Sequence, residues 1–495
     1  MEKINRIDHV AIVGGGTSAW LAAAYLSHKI PHLKITIIDK EVGTPVGVGE
    51  GTLLSFDKVM GNAGFDFYEW FSEIDATAKS GILFPGWGKN KESVWHPFMF
   101  AEFPEQRTTL HNIWSKNQEY DFRKYATSYY DVSLDHDKVD TTALDGYAFH
   151  IDAGKLVKFI QKKLEHRMQV FSIKSDVVDV IKDSDTHNIT KLILKNGDEI
   201  SADLYIDCTG FKAILQHKPQ RVDLEGRLFC DTAIAGHVPY EDIDKELHPY
   251  VISEQVEHGW VWNIPVQSRI GSGLVFSRKM LDPEDAKDFF VNYWNGRVKK
   301  ENLKVIDWTP FYNENIWHEN VCSIGLSAGF IEPLESTGIA LIIAGIEQLA
   351  FAIEPRGYTE THRQAYNLIM KGYFEDAIDF VSMHYENVER DEPFWKWVKE
   401  TWIKSDRQAH LEEQMARSDT IQPISGFGYM FCASNWVCWL AQLGKPMGIA
   451  NDGLTKTQAL DTMLKWRGFE ETRHTRAIPH QDYITRANAH RNDQV

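Results

Sequence analysis

The run "HVAIVGGGTSAWLAAAYLSHKIPHLKITIIDKE" (9–41) constrains the fold more than any other part of the chain. A β-branched stretch from Val10 to Val13 ends in glycines, an Ala-rich segment of helical period follows, and "KITIIDKE" supplies a second buried strand ending in an acid. This is a βαβ unit. Gly14-x-Gly16-x-x-Ala19 falls between the first strand and the helix that Thr17 opens, and Asp39 closes the second strand. Glycines at these places let the backbone turn tightly and approach a pyrophosphate, whose charge is met by exposed helix N–H groups, while the acid takes ribose hydroxyls. The pattern predicts dinucleotide binding.

NAD and FAD share that fingerprint, and two distant segments decide between them. "ADLYIDCTGF" (202–211) brings a strand, Asp207 and a glycine together, and "VCSIGLSAGF" (321–330) repeats the strand-to-glycine arrangement at Gly325. Flavoprotein monooxygenase folds complete one FAD site with such strand ends, so FAD is favoured.

Elsewhere the chain reads as α/β (α+β). The glycine-rich 42–57 is expected to be a loop, 75–88 a helix end passing into a strand, and 89–145 an irregular, aromatic covering segment. "KLVKFIQKKL" (155–164) has helical period, Asn196-Gly197 turns a hairpin, and 258–277 alternates like a strand pair. A helix is expected over 339–353, and the chain beyond Pro355 is mostly helical, with a polar end from Thr472 expected to be loose. This divides the chain into an FAD-binding module, 1–355, and a helical substrate-binding subdomain, 356–495, that does not fold alone.

The formal net charge of -17 disfavours nucleic acid and anionic membrane as partners, because both need a cationic surface. Five cysteines, none in a C-x-x-C pair, suit a reducing compartment and offer no zinc framework, so no metal is expected. The N-terminus runs into a strand without a leader pattern, and no stretch has the apolar length of a transmembrane helix. The chain reads as cytosolic.

"PLESTGI" (333–339) sets Glu335 beside a Ser-Thr-Gly turn that opens an apolar helix. Such a serine or threonine is ordinarily a cap, and such a glutamate a charge suited to the helix dipole. Three further pieces accompany it: "VGVGEGT" (46–52), "ATAKSGILFPGW" (76–87) with Lys79 among small residues, and "GWVWNIP" (259–265) with Trp260-x-Trp262-x-Ile264-Pro265. Together with "GLSAGFIEPLESTGI" (325–339) and "DFVSMHYENVERDEPFW" (379–395), these closely resemble the flavin-dependent halogenases of the tryptophan-halogenase family, from Val10 to about Trp395.

The resemblance implies an FAD-binding, monooxygenase-like fold that turns reduced FAD, dioxygen and halide into hypohalous acid and relays it to an aromatic substrate. It implies that Gly49, Glu50 and Leu334 lie at the cofactor and that Thr337 and Gly338 bind chloride, bromide or iodide. Lys79 would then hold the electrophile and Glu335 position it or take the arenium proton. Trp260, Trp262 and Pro265 shield the flavin, and His96 and Phe98 line the aromatic pocket. Reduced FAD is implied to come from a separate flavin reductase; homo-oligomers are possible. The alternative is an FAD-dependent hydroxylase, which needs neither Lys79 nor a halide site.

Tryptophan halogenases hold the amino-acid end of their substrate with a C-terminal tyrosine pair and an acid. The corresponding "GFGYMFCASNWVCWLAQLGKP" (426–446) has Tyr429 and Trp436, both expected at the substrate, but no Tyr-Tyr pair and no acid. A buried zwitterion left without partners loses its hydrogen bonds. An indole or phenol is therefore expected as substrate, rather than free tryptophan.

Overall fold

Val10, Ala11 and Ile12 are fully buried because their strand, His9–Val13, lies inside a six-stranded sheet. Its order is Val170–Lys174, Lys34–Asp39, His9–Val13, Leu204–Asp207, Val321–Ser323 and Trp317–His318, all parallel except the last pair. The computed structural model describes residues 3–40, 49–101, 109–142, 146–216, 220–354, 357–417 and 429–492. Register sets Val13 against Ile38 and Asp207, and Asp207 against Ser323, so the fingerprint and both distant strand ends share one sheet edge. Carboxyl ends of parallel strands are where open α/β sheets bind ligands.

The helix Thr17–Lys29 packs on this sheet through Ala19, Ala22, Ala23 and Ala24, all fully buried. Small side chains there allow close helix–sheet approach.

A seven-stranded sheet carries the tryptophan box: Gly259–Val266 pairs with Arg269–Phe276 on one side and Val251–Val256 on the other. Gly81–Phe84 and Val94–Pro97 extend it to the edge that bears His96. A third sheet, Glu50–Gly51, Ala148–Ile151 and Thr77–Lys79, carries the lysine. Ser80 is the joint between these two sheets, and its N–H and hydroxyl both donate to Pro249 O at 2.8 Å. Lys79 is thus held at a corner rather than on a flexible loop.

Helices cover the site, chiefly Thr337–Ile353, Glu360–Met383 and Ala433–Gln442. The largest apolar cluster has members from Ile7 to Ala487, so the helical part and the sheets are packed together. Among the described residues no helix is long and apolar enough to cross a membrane. The α/β architecture with a helical cover agrees with the sequence, as do the hairpin at Asn196-Gly197 and the 258–277 strand pair.

Three expectations change. Part of the glycine-rich stretch, 41–48, lies outside the described residues, as does Pro355, but Ser55–Asn62 is a helix rather than loop. The helix expected from Ile339 starts at Thr337, which brings Thr337 and Gly338 into its first turn. The end of the chain is packed, not loose: His480–Asn492 is a helix with Tyr483, Ile484 and Ala487 buried, and Tyr483 meets Phe71 edge-on at 5.7 Å. Polar composition concealed a helix that turns Tyr483, Ile484 and Ala487 inward.

His480 explains why this end matters to the site. Its Nε2 accepts the Ala78 N–H at 3.1 Å and its Nδ1–H donates to Leu247 O at 3.0 Å, so it ties the lysine strand to the protein's far end. Ending the chain at Ala477 should cost roughly 3–6 kcal/mol, the burial of Tyr483 and Ile484 together. Denaturant unfolding of the truncated and full chains measures this, and equal midpoints would refute the docking.

Candidate active site

The cofactor edge has the shape an anion needs. Gly14 has φ +134°, and a Cβ there would lie 2.3 Å from Cys208 O, so only glycine lets the two strand ends meet. Gly16 caps the Thr17–Lys29 helix without any side-chain hydrogen bond, and a Cβ on it would meet nothing within 4 Å. Bare N–H groups thus face open space beside Thr17 and Ala19, which fits a dinucleotide pyrophosphate. Asp39 ends its strand in an ion pair with Lys174 at 2.7 Å. Glu50 accepts the Ala153 N–H at 2.9 Å beside Gly49, and Gly325, with φ +81°, packs on Ser18.

Asp207 turns away from this edge. Its buried carboxylate accepts from Thr209 N–H, Thr209 hydroxyl and Leu215 N–H at 2.9, 2.6 and 2.9 Å. These bonds shape its own turn. Leu334 is fully buried.

Lys79 is completely buried, with Ala76, Ala78 and Ser80 buried around it. Its ammonium donates to Thr52 O at 3.0 Å and lies 5.1 Å from the centre of the Phe98 ring. A Cβ on Gly51 would come within 2.9 Å of Lys79 Nζ and 2.7 Å of Ser336 Oγ. That glycine keeps open the space between the lysine and the start of the Thr337–Ile353 helix. Burial pulls the Lys79 ammonium down to about 7, against the Glu335 charge, which favours it.

Glu335, also buried, collects N–H groups from three parts of the chain. His96 Nδ1 lies 3.0 Å from both its oxygens, and His384 Nε2 and Trp439 Nε1 reach Oε1 at 2.7 and 3.0 Å. Burial pushes its carboxyl up, but His96 and His384 beside it outweigh this and hold it at about 2. Glu332, in the same loop and equally buried, shows the contrast: with the Tyr385 hydroxyl donating at 2.9 Å, burial wins and lifts it to about 7. What separates the two acids is the pair of histidines at Glu335, not their depth.

At the helix start, Ser336 is left-handed (φ 57°, ψ 33°) and provides no side-chain cap. Thr337 Oγ1 is buried without a hydrogen-bond partner, and a Cβ on Gly338 would meet nothing within 4 Å. An uncapped helix N-terminus with an orphan hydroxyl and open space suits a small anion.

Trp260 and Trp262 share one face of their strand, 6.2 Å apart between rings, and both are buried. Pro265 O accepts the Thr77 hydroxyl at 2.6 Å, linking this box to the lysine strand. His96 and Phe98 both reach the centre, but His96 does so by binding Glu335. Of the C-terminal candidates, Tyr429 is half-exposed and Trp436 is packed edge-on against Phe380 at 5.1 Å. The helix Ala433–Gln442 instead turns Asn435 and Trp439 inward, four residues apart on one face. His384, Asn435 and Trp439 escaped the sequence reading, although 379–395 had been singled out and contains His384.

A buried ammonium should make Lys79 a cost to the fold. The group's folded pKa lies below its ordinary 10.5, so its stabilising share is present above that pH and is lost as pH falls through about 7. Lys79→Met should therefore stabilise the protein at pH 7, by on the order of 2–5 kcal/mol. The gain should shrink toward pH 10.5, where the unfolded chain also loses the proton. Denaturant unfolding at both pH values checks this; a destabilised variant at pH 7 would contradict it.

A family model described as "Tryptophan halogenase" matches residues 9–452. Tryptophan 6-halogenase ThaL of Streptomyces albogriseolus is 29% identical over 456 residues, which cover 86% of this chain and 85% of its own. Among solved structures, Xcc4156, a flavin-dependent halogenase from Xanthomonas campestris, is 27% identical with a TM-score of 0.89, over 97% of this chain and 98% of its own. A tryptophan halogenase from Shewanella frigidimarina is 25% identical with a TM-score of 0.90, over 98% of each chain. Because these matches run through the sheets and the helical cover alike, the chain belongs to the tryptophan halogenase family and is a flavin-dependent halogenase of aromatic substrates.

Proposed function

We propose that this enzyme halogenates an electron-rich aromatic of the indole or phenol type, with Lys79 and Glu335 as its catalytic residues. The observation that carries the reading is the opening kept by Gly51, where the buried Lys79 ammonium and the start of the Thr337–Ile353 helix face each other. Reduced FAD, when bound at Gly14, Gly16, Thr17, Ala19 and Asp39, supplies the oxidising chemistry that turns dioxygen and halide into hypohalous acid. A separate flavin reductase provides the reduced cofactor. Thr337 and Gly338 hold the halide, since the helix start offers N–H groups and an orphan hydroxyl to an anion.

Lys79 takes up the electrophile by hydrogen bond or covalently, and Glu335, held as a carboxylate, receives the arenium proton. Trp260, Trp262 and Pro265 keep organic substrate from the flavin. The helical part from 356 onward covers the substrate and does not fold alone, in keeping with the core it shares with the sheets. Free tryptophan is disfavoured because 429–446 contains no acid for its ammonium and Tyr429 stands half-exposed. Family membership argues against the hydroxylase alternative. The reading places the enzyme in the cytosol.

The test supplies a flavin reductase, FAD, NADH and oxygen with chloride, bromide or iodide, and a panel of indoles and phenols beside free tryptophan, catalase present. Mass spectrometry should find halogenated indole or phenol from the wild type and about 100-fold less or none from Lys79→Ala. Hydroxylated product, or halogenation unchanged in that variant, would overturn the assignment of Lys79. A clear preference for tryptophan would overturn the substrate class.

A further inference from the structure

Hydrogen bonding around Glu335 fixes more than its position. His384, fully buried at the end of the Glu360–Met383 helix, places both ring nitrogens against oxygens. Nδ1 lies 2.8 Å from Phe380 O and Nε2 lies 2.7 Å from Glu335 Oε1. A carbonyl can only accept, so Nδ1 carries a proton. A neutral ring would then turn an Nε2 lone pair on a carboxylate at hydrogen-bond distance, which is repulsive. A second proton must occupy the Nε2–Oε1 contact.

His96 does not bring that proton. Asn435 Oδ1 accepts the Cys432 N–H at 2.8 Å, which orients the amide so that its Nδ2 donates to His96 Nε2 at 3.0 Å. His96 therefore offers Glu335 its Nδ1–H and nothing further, and Trp439 is a donor with no acid–base function at all.

We propose that Glu335 and His384 hold one proton between them as a net-neutral pair, so that the buried Lys79 has no counter-charge in the site and reacts as a free amine. The inference rests on the role given to Lys79 above and deepens it. The groups facing the three residues are accounted for. Glu335 meets His96, His384, Trp439 and the neighbouring Cys438; His384 meets Phe380 O and the rings of Phe84, Trp87 and Trp439. Lys79 meets Thr52 O, Phe98 and, across its sheet, His150, whose Nδ1 contacts the Thr77 hydroxyl at 2.8 Å and which burial keeps neutral. Glu335 is the carboxylate that acts on Lys79, and in the proposed pair His384 balances it.

An amine attacks hypohalous acid at halogen: the N–X bond forms, the X–O bond breaks, and hydroxide leaves with one N–H proton as water. When the arene then takes the halogen from nitrogen, the arenium proton passes by way of Glu335 back to Lys79, restoring both groups.

The test is the titration of Lys79 itself, read from its 13Cε resonance in lysine-labelled protein and assigned by its loss in Lys79→Met. In His384→Gln the Glu335 charge is released toward Lys79, and the Lys79 midpoint should rise by about one pH unit or more. In Glu335→Gln the pair loses its carboxylate and its extra proton together, and the midpoint should stay within a few tenths. Overturning outcomes are a midpoint that drops in Glu335→Gln or does not move in His384→Gln, since either means that Glu335 already counters Lys79. Should His384→Gln not fold, the 13Cδ shift of Glu335 and the 15Nε2 shift of His384 in the wild type decide: an ionised carboxyl beside an unprotonated Nε2 overturns the pair. Halogenation that survives in Lys79→Ala would instead defeat the proposed function, whatever the titrations show.

Discussion

The structure around the site depends on one buried carboxylate. Glu335 gathers N–H donors from a sheet edge, from the end of one helix and from the middle of another, so those three elements can meet only in one arrangement. A buried acid lacking these donors would be pushed toward neutrality, as Glu332 is three residues earlier. The same hydrogen bonds that settle the charge of Glu335 also lock the helical cover onto the sheets.

Lys79 is treated in the opposite way. It has a single carbonyl as hydrogen-bond acceptor, an aromatic ring nearby and no ion pair among the described residues. Folding works against its charge, which is sensible only where the uncharged form is wanted. The corner at Ser80, the clamp from His480 and the absence of a side chain at Gly51 hold it in place without adding a counter-ion. Active sites commonly carry destabilised groups that the rest of the fold supports.

The βαβ unit, the paired strand ends, the tryptophan strand and the lysine and glutamate motifs were all legible because each is encoded by neighbours along the chain. The turn bonds of Asp207 were not legible, because a strand-end acid looks the same in sequence whether it faces a ligand or its own turn. The inward turn of Asn435 and Trp439 was not legible because the rotation of their helix is set by packing against Phe380 and His96. The packing of His480–Asn492 was not legible because its apolar residues are few, although Tyr483, Ile484 and Ala487 are buried.

The sequence by itself determined the dinucleotide fold, the family and the motifs that carry Lys79 and Glu335, since local spacing and contiguous motifs suffice for these. Only the tertiary structure decided what surrounds them. The partners of Glu335 come from 239, 49 and 104 residues away, and hydrogen-bond accounting needs distances in space that no spacing along the chain supplies.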